Sequence, residues 1–334
     1  MKVVVTGGCG FLGQQLARAL LSRGSLSGPS GRQEQIDALV LFDVGGSPRP
    51  RLDDPRLEVV LGDISDRGTV SALCDRDDIS VFHMASIMSA GGEEDFDRAL
   101  GVNLDGGRNV LEALRARAAS PRLVFTSSLA VFGGAFTKES VGDSTKQSPQ
   151  TTYGATKAII ELLVNDYTRK GFVDGRVARL PTVIVRPGSP NAAASSFVSS
   201  VVREPFHGVG VVAPVPLSTP MAVIGYRTVV GGLVALHELD GSRLAADRAV
   251  QLPSISVTVE QLVASLRRVV GDRALGEVTS KPDPAILRIV EGWPTHTDSA
   301  AASALGLPRD QNVDSIVSSF VEDFGANGGM ARRA

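Results

Sequence analysis

The sequence predicts an α/β chain: a doubly wound parallel sheet with a smaller C-terminal region attached to it. Three observations carry that prediction. Short runs rich in Val, Ile and Leu recur at 2–6, 38–42, 57–61, 79–85, 122–126 and 177–185, as strands covered on both faces require. Helical spacing fills several of the stretches between them, which is the alternation of a parallel sheet. Four glycines (Gly7, Gly8, Gly10 and Gly13) crowd the turn between the first strand and the first helix.

The totals bound what the chain does. At 334 residues it suits one large domain or two modest ones. An apolar fraction of 43% supplies a core, and 21% charged residues is ordinary for a water-facing surface. The net charge of −2 offers no electrostatic footprint for nucleic acid or an anionic membrane. The two cysteines, Cys9 and Cys74, lack metal-ligand spacing and cannot build a disulfide framework, so a reducing compartment fits best. The N-terminal apolar run is too short for a signal peptide, and no run of roughly 18 apolar residues suits a membrane span. The expectation is a soluble, cytoplasmic protein with no metal, nucleic-acid or membrane partner.

Strand 2–6 runs into the glycine turn, and 14–22 follows as an amphipathic helix through Leu16, Ala17, Leu20 and Leu21. Strand, glycine turn and helix are the setting of a dinucleotide site. Gly7 permits the tight turn, Gly10 lets backbone approach a pyrophosphate, and Gly13 lets helix lie on strand. The phosphates then sit at the helix N-terminus. Residues 24–37 are polar and glycine-rich and read as an extended loop. Strand 38–42 is followed by Asp43, whose carboxylate would accept the adenosine ribose hydroxyls and repel a 2′-phosphate. That favours NAD over NADP. The 24–37 loop explains why Asp43 comes late after Gly13. Arg49 and Arg51 keep NADP open, and a plain turn aspartate is the bland reading.

Strand 57–61 closes with Gly62-Asp63-Ile64, where Asp63 either meets the adenine amino group or caps a helix from Ser65. Strand 79–85 ends in Ala85-Ser86, small enough to pass beside a ribose. His83, inside that strand, reads as a core residue. Residues 93–117 read as one long helix, with Asn103 either exposed on it or bonded across to the preceding loops.

Strand 122–126 ends at Thr126, followed by Ser127-Ser128, and Tyr153 opens the next helix. Tyr153 and Lys157 are one turn apart and share a face. An ammonium held near a phenol favours the phenolate, so the Tyr153 pKa is expected to fall. Such a phenol takes a proton from an alcohol near neutral pH. The bland alternative is an accidental pair on a solvated face. Ligands of parallel sheets bind at the carboxyl ends of the strands. The glycine turn, the serine pair and Tyr153–Lys157 converge on that rim.

Pro181 stops the sixth strand near Leu180, so Leu180-Pro181-Thr182 reads as its exit beside the nicotinamide. From Arg186 the composition shifts to small and polar residues, and a substrate-binding region is expected to begin. Residues 1–180 then form the cofactor-binding domain. Residues 181–334 mainly bind substrate, with some segments returning to the first domain. Later helices are read at 229–238, 257–270 with Thr258 as cap, 298–305 and 313–324. Trp293, the single tryptophan, stands between Gly292 and Pro294 and reads as a packing residue.

In this order the motifs resemble those of the extended short-chain dehydrogenases/reductases, the group that includes nucleotide-sugar epimerases and dehydratases. The carriers are Thr6-Gly7-Gly8-Cys9-Gly10-Phe11-Leu12-Gly13, Gly62-Asp63-Ile64, Phe82-His83-Met84-Ala85, the run from Phe125 to Gly133, and Tyr153 with Lys157. The resemblance implies a Rossmann-type fold and NAD as cofactor, with Phe11, Leu12, Ile64, Asn103 and Thr126 among its contacts. In the family pattern the serine four residues before an aromatic is catalytic. That aromatic is Phe132 here, which points to Ser128 and leaves Ser127 as a supporting group. The resemblance also implies a homodimer through the helices at 93–117 and 153–170.

Further stretches at 150–154, 163–167, 171–176, 180–182, 186–197 and 203–205 resemble one branch of that family. The branch oxidises the C2 hydroxyl of a four-carbon, D-erythronate-like sugar acid to a 2-oxo acid with NAD. Tyr153 would then accept the hydroxyl proton. Lys157 would support it and bond the nicotinamide ribose, and Ser128 would hold the reacting oxygen. A sugar acid is an anion, and a planar guanidinium suits its carboxylate. Arg186, Arg203 and Arg227 are the candidates, each with a surface arginine as the bland alternative. Ser86, Thr182, Asn191, Ser195 and Ser196 are candidate hydroxyl partners. Two rivals remain: a nucleotide-sugar epimerase or dehydratase using the same triad, and a catalytically silent NAD-binding regulatory protein. The intact triad argues against the second.

Overall fold

Ten strands position the site in the computed structural model, which describes residues 1–47, 50, 52–135, 140–188 and 194–325. They are β1 (Lys2–Thr6), β2 (Ala38–Asp43), β3 (Leu57–Leu61), β4 (Ile79–His83), β5 (Arg122–Ser128), β6 (Asp174–Leu180), β7 (Thr182–Ile184), β8 (Pro220–Gly225), β9 (Ala249–Gln251) and β10 (Ile255–Thr258). Seven make one parallel sheet in the order β9-β6-β5-β4-β1-β2-β3. The strand order reverses beside β1, which pairs with β2 on one side and β4 on the other. That crevice is where such sheets bind ligands. The register aligns the strand ends: Thr6 lies opposite Phe42 and His83, and Ser128 opposite Leu180.

Helices cover both faces. α1 (Phe11–Arg23) buries Leu16, Ala17 and Leu20 on one face of the sheet. α2 (Arg67–Leu73) lies on the other. Two readings from the sequence are corrected here. Residues 24–37 are not an extended loop, because 25–27 and 33–35 pair as an antiparallel hairpin. The Glu238 carboxylate pins it, accepting from the Ser27 N–H at 2.8 Å and the Gln33 amide at 2.7 Å. Nor is 93–117 one helix. It divides into α3 (Ser89–Glu94), α4 (Phe96–Ala99), a π-helical turn (Leu100–Asp105) and α5 (Gly106–Arg115). Apolar spacing is continuous through this stretch, but the Asp95 side chain captures the Arg98 N–H and restarts the helix. The wider π turn then carries Asn103 into the interior.

α6 (Thr152–Arg169) begins where the Thr151 side chain accepts from the Gly154 N–H at 3.1 Å. Its inner face holds Tyr153, Lys157, Ile160, Glu161 and Val164, at helical spacing. Gly154 is required by contact: a side-chain carbon there would stand 2.0 Å from the Ala130 carbonyl oxygen. The first turn of α6 therefore lies directly on the turn that follows Ser128.

β7, β8 and β10 form a separate sheet in the order β10-β8-β7. α7 (Ser196–Phe206) and, further on, α9 (Val259–Val270) and α12 (Val313–Phe324) share an apolar cluster with it through Val198, Val201, Leu262 and Phe320. Thr258 caps α9 in a reciprocal capping box with Gln261. α8 (Tyr226–Glu238) returns to the main sheet and buries Val229, Leu233 and Leu236 beside α1. α10 (Pro284–Glu291) and α11 (Ala300–Ala304) flank the segment that carries Trp293. Among the described residues, no helix is long and apolar enough to cross a membrane.

Candidate active site

The carboxyl ends of β1, β2, β4, β5 and β6 open into one cavity of about 710 Å³, within the range of cofactor sites. Gly7 (φ +69°) forms its floor. A side-chain carbon at Gly7 would stand 2.9 Å from the Ala85 nitrogen, so only glycine lets the turn pass the end of β4. Thr6 laces the same two strands. Its Oγ1 accepts from the Met84 and Ala85 N–H groups at 3.1 and 3.2 Å and pairs with His83 Nδ1 at 2.7 Å. His83 is a core residue whose pKa burial pushes down to about 3.

Gly10 caps α1 without a side chain, and Gly10, Phe11, Leu12 and Gly13 line the cavity. The helix N–H groups are thus presented to an anion. Asp43 is fixed at the rim. Its Oδ2 accepts from the Cys9 N–H at 2.9 Å, and its Oδ1 from the Val44 N–H at 2.8 Å and Ser47 Oγ at 2.9 Å. Asp63 and Ile64 also line the cavity. Asp63 accepts from Ser65 N–H and Oγ at 2.8 and 2.7 Å, but the cap of the next helix is Asp66. Ala85, Ser86, Thr126, Leu180 and Thr182 lie on the wall. This donor-rich floor and the fixed carboxylate fit a dinucleotide. Arg49 and Arg51 lie outside the described residues.

Asn103 does not line the cavity; it stands behind the wall. Its Oδ1 accepts from the Ile87 N–H at 2.7 Å and Ser86 Oγ at 3.1 Å, while Nδ2 donates to Ile87 O at 3.0 Å and Thr156 Oγ1 at 3.3 Å. It ties the loop after β4 to α6.

Ser128, Tyr153 and Lys157 meet in the cavity. Ser128 Oγ accepts from the Ala130 N–H at 3.2 Å and lies near enough to the Tyr153 phenol to favour its ionised form. The expected fall of the Tyr153 pKa is corrected by burial, which drives it up to about 12; the Ser128 hydroxyl and the Arg186 charge oppose the rise. Lys157 Nζ donates to Thr126 O at 2.8 Å and lies 5.6 Å from the Tyr153 ring centroid. Burial brings the Lys157 pKa down to about 7, against the Glu161 carboxylate. Ser127 Oγ is buried with no partner among the described residues and also lies on the cavity wall.

The three candidate arginines separate cleanly. Arg186 lines the cavity, close enough to Tyr153 for their charges to interact. Arg203 does not reach it. Buried on α7, it donates to the Arg186 carbonyl oxygen at 2.8 Å and to Ser200 Oγ at 2.9 Å, so it supports the backbone of Arg186. Arg227 lies on the surface, tying α8 to α12 through Glu322 at 2.8 Å and Asp323. Ser195 lines the cavity; Ser196, buried on α7, is not among its lining residues; Asn191 lies outside the described residues.

Trp293 was read as packing alone, but it lines the cavity with Pro294, as do Arg98 and Met221. No motif marks any of these four, since each arrives from a segment remote from the rim. Phe132 is a buried ring over which the Arg179 guanidinium lies, 5.2 Å from the centroid.

A glycine-floored crevice at the strand reversal, joined to a Ser-Tyr-Lys cluster, defines a dinucleotide-dependent enzyme that works on a carbon–oxygen centre. The NAD dependent epimerase/dehydratase family model matches residues 3–214. The chain belongs to that family, and its cofactor is NAD. It is 46% identical to a D-erythronate dehydrogenase of Cupriavidus necator over 97% of this chain and 99% of that one. It is 41% identical to a D-erythronate dehydrogenase of Haemophilus influenzae over 96% and 99% of the two chains. Among solved structures, it resembles one described as a nucleoside-diphosphate-sugar epimerase of Agrobacterium tumefaciens, with TM-score 0.89, 34% identity and coverage of 98% and 95%.

Proposed function

We propose that this protein is an NAD-dependent dehydrogenase that oxidises the C2 hydroxyl of D-erythronate, a four-carbon sugar acid, to the 2-oxo acid. The observation that carries the reading is Arg186 lining the same cavity as Ser128 and Tyr153. A guanidinium beside the proton-transfer group suits a substrate that bears a carboxylate next to the reacting carbon. The names of the relatives from Cupriavidus necator and Haemophilus influenzae support it.

When bound, NAD supplies the hydride acceptor. The chain does the rest. Arg186 binds the carboxylate. Ser128 holds the C2 oxygen, and Tyr153 accepts its proton. Lys157, anchored on Thr126 O, supplies the local positive charge that offsets the phenolate. Gly7, Gly10, Phe11, Leu12 and Gly13 cradle the pyrophosphate, Asp43 selects NAD over NADP, and Asp63 and Ile64 flank the adenine. Residues 1–180 serve the cofactor and 181–334 mainly the substrate.

Exposed Phe96 on α4 and exposed Ile159 and Leu162 on α6 give an apolar face consistent with a homodimer. Two free, buried thiols, Cys9 and Cys74, suit the cytoplasm.

The likeness to the Agrobacterium tumefaciens structure favours a second reading, a nucleotide-sugar epimerase. Purified protein incubated with NAD and D-erythronate separates the two by absorbance of the reduced nicotinamide. Net NADH is the expected result. No NADH, with epimer formed from a nucleotide sugar, would reverse the assignment. NAD binding with neither activity would leave a silent regulatory protein.

A further inference from the structure

We propose that Trp293 sets the chain length of the substrate, forming a fixed wall against which a four-carbon acid fits and longer acids do not. The proposal rests on the sugar-acid reading and adds to it the residue that decides size.

Trp293 lines the cavity that holds Tyr153 and Arg186. It is only half-buried, and part of it packs on the apolar cluster that includes Met221, Val257 and Leu262. Its segment is clamped on both sides. The Trp293 N–H donates to Val290 O at 3.0 Å, which continues the end of α10. Pro294, buried, follows at once and restricts the backbone. Beyond it, the Val141 N–H donates to His296 O at 3.2 Å, the Asp298 N–H to Val141 O at 2.8 Å, and Ser254 and Thr297 hydroxyls pair at 2.7 Å. Two distant segments therefore hold the tryptophan loop. A side chain on such a loop is a wall, not a lid.

An indole in that position offers two things: a broad apolar face along a carbon chain and one N–H donor. Among the described residues that N–H meets no acceptor within the protein. A hydroxyl or carboxylate oxygen of the acid would satisfy it. Each added carbon of a longer acid would collide with a ring that its clamped loop cannot withdraw. The same wall opposes the bulk of a nucleoside diphosphate.

The test compares wild type, Trp293→Phe and Trp293→Ala with D-erythronate and with five- and six-carbon aldonates, using NAD. Trp293→Ala should raise KM for D-erythronate about tenfold or more, leave kcat little changed, and lower the four- to six-carbon ratio of kcat/KM at least as much. Trp293→Phe keeps a flat ring and should keep most of that ratio. Because the chain has a single tryptophan, wild-type emission reports this residue alone. With NADH bound, where oxidation cannot proceed, adding D-erythronate should change it further. An unchanged ratio in Trp293→Ala, or, if the alanine variant fails to fold, no change in wild-type tryptophan emission when D-erythronate joins the NADH complex, overturns the proposal. If wild type yields no NADH from D-erythronate, the sugar-acid reading fails first and the length assignment falls with it.

Discussion

The two walls of the cavity are built by different means. The cofactor wall is made of strand ends and glycine turns, so backbone geometry places it: Gly7 against Ala85, Thr6 against Met84, Lys157 on Thr126 O. The opposite wall, the proposed substrate wall, is made of side chains carried in from separate segments: Arg186 after β7, Met221 on β8 and Trp293 after α10. Backbone geometry leaves little room for substitution, whereas a wall of side chains on clamped loops can be altered one residue at a time. The difference teaches that contacts only glycine can make fix one wall, while single side chains shape the other.

The largest effect should fall on the side the two walls share. Tyr153→Phe removes the proposed proton acceptor but little volume. It should lower kcat about 10³-fold or more, with NADH affinity retained in a fluorescence titration. Since burial raises the Tyr153 pKa to about 12 without cofactor, proton acceptance favours high pH. The wild-type kcat/KM for oxidation should rise from about pH 6 and level off as Lys157, its pKa brought down to about 7 by burial, gives up its charge. A profile of opposite slope, or an active Tyr153→Phe, would move the proton acceptor to another residue.

Second comes the strap behind the cofactor wall. Glu161, one turn beyond Lys157, pairs with Arg179 at 2.7 Å, both side chains 2% exposed. Gln147 and the Asp143 carbonyl oxygen complete the cluster. Glu161→Gln leaves a guanidinium buried without its counter-ion. It should cost about 3–5 kcal/mol of stability in a denaturant melt, and it also removes a charge that holds up the Lys157 pKa. A loss under about 1 kcal/mol would mean that water or the Asp143 carbonyl compensates the arginine.

The unequal legibility of the walls in the sequence follows from the same contrast. The cofactor wall rests on local rules, namely a buried strand, a glycine turn and a Tyr–Lys pair at helical spacing. Each leaves a mark within a short stretch, and β1, α6 and the placement of Ser128 were readable from it. The break in 93–117 was not, because one side chain, Asp95, competing for one N–H outweighed continuous apolar spacing. Nor was the Tyr153 pKa, because desolvation depends on everything folded over the ring. The substrate wall defied reading for a third reason. Arg186, Arg203 and Arg227 look alike in sequence, and only tertiary packing sends one to the cavity, one beneath it and one to the surface.

That separation gives a weaker but more specific test of the substrate wall. Arg186→Met should raise KM for D-erythronate roughly 10- to 100-fold, the worth of a charged hydrogen bond. NADH affinity should stay near wild type. If NADH affinity fell equally, Arg186 would belong to the cofactor wall and the reading of the carboxylate contact would be lost.

The smallest effect should come from Arg227→Ala. Its side chain is 45% exposed, and its partners Glu322 and Asp323 are 62% and 35% exposed. Solvent screens such pairs, so the expected loss is about 0–1 kcal/mol in thermal unfolding. The Tyr226 hydroxyl still bonds Ser319 O at 3.1 Å and keeps α8 joined to α12. KM and kcat for D-erythronate should match wild type. A rise in KM like that of Arg186→Met would place the carboxylate contact on α8 instead, and would mean that α12 moves aside when substrate binds. An unchanged KM leaves the two arginines as opposite cases of one residue type: one sheltered beside the reacting carbon, the other neutralised at the surface by two carboxylates.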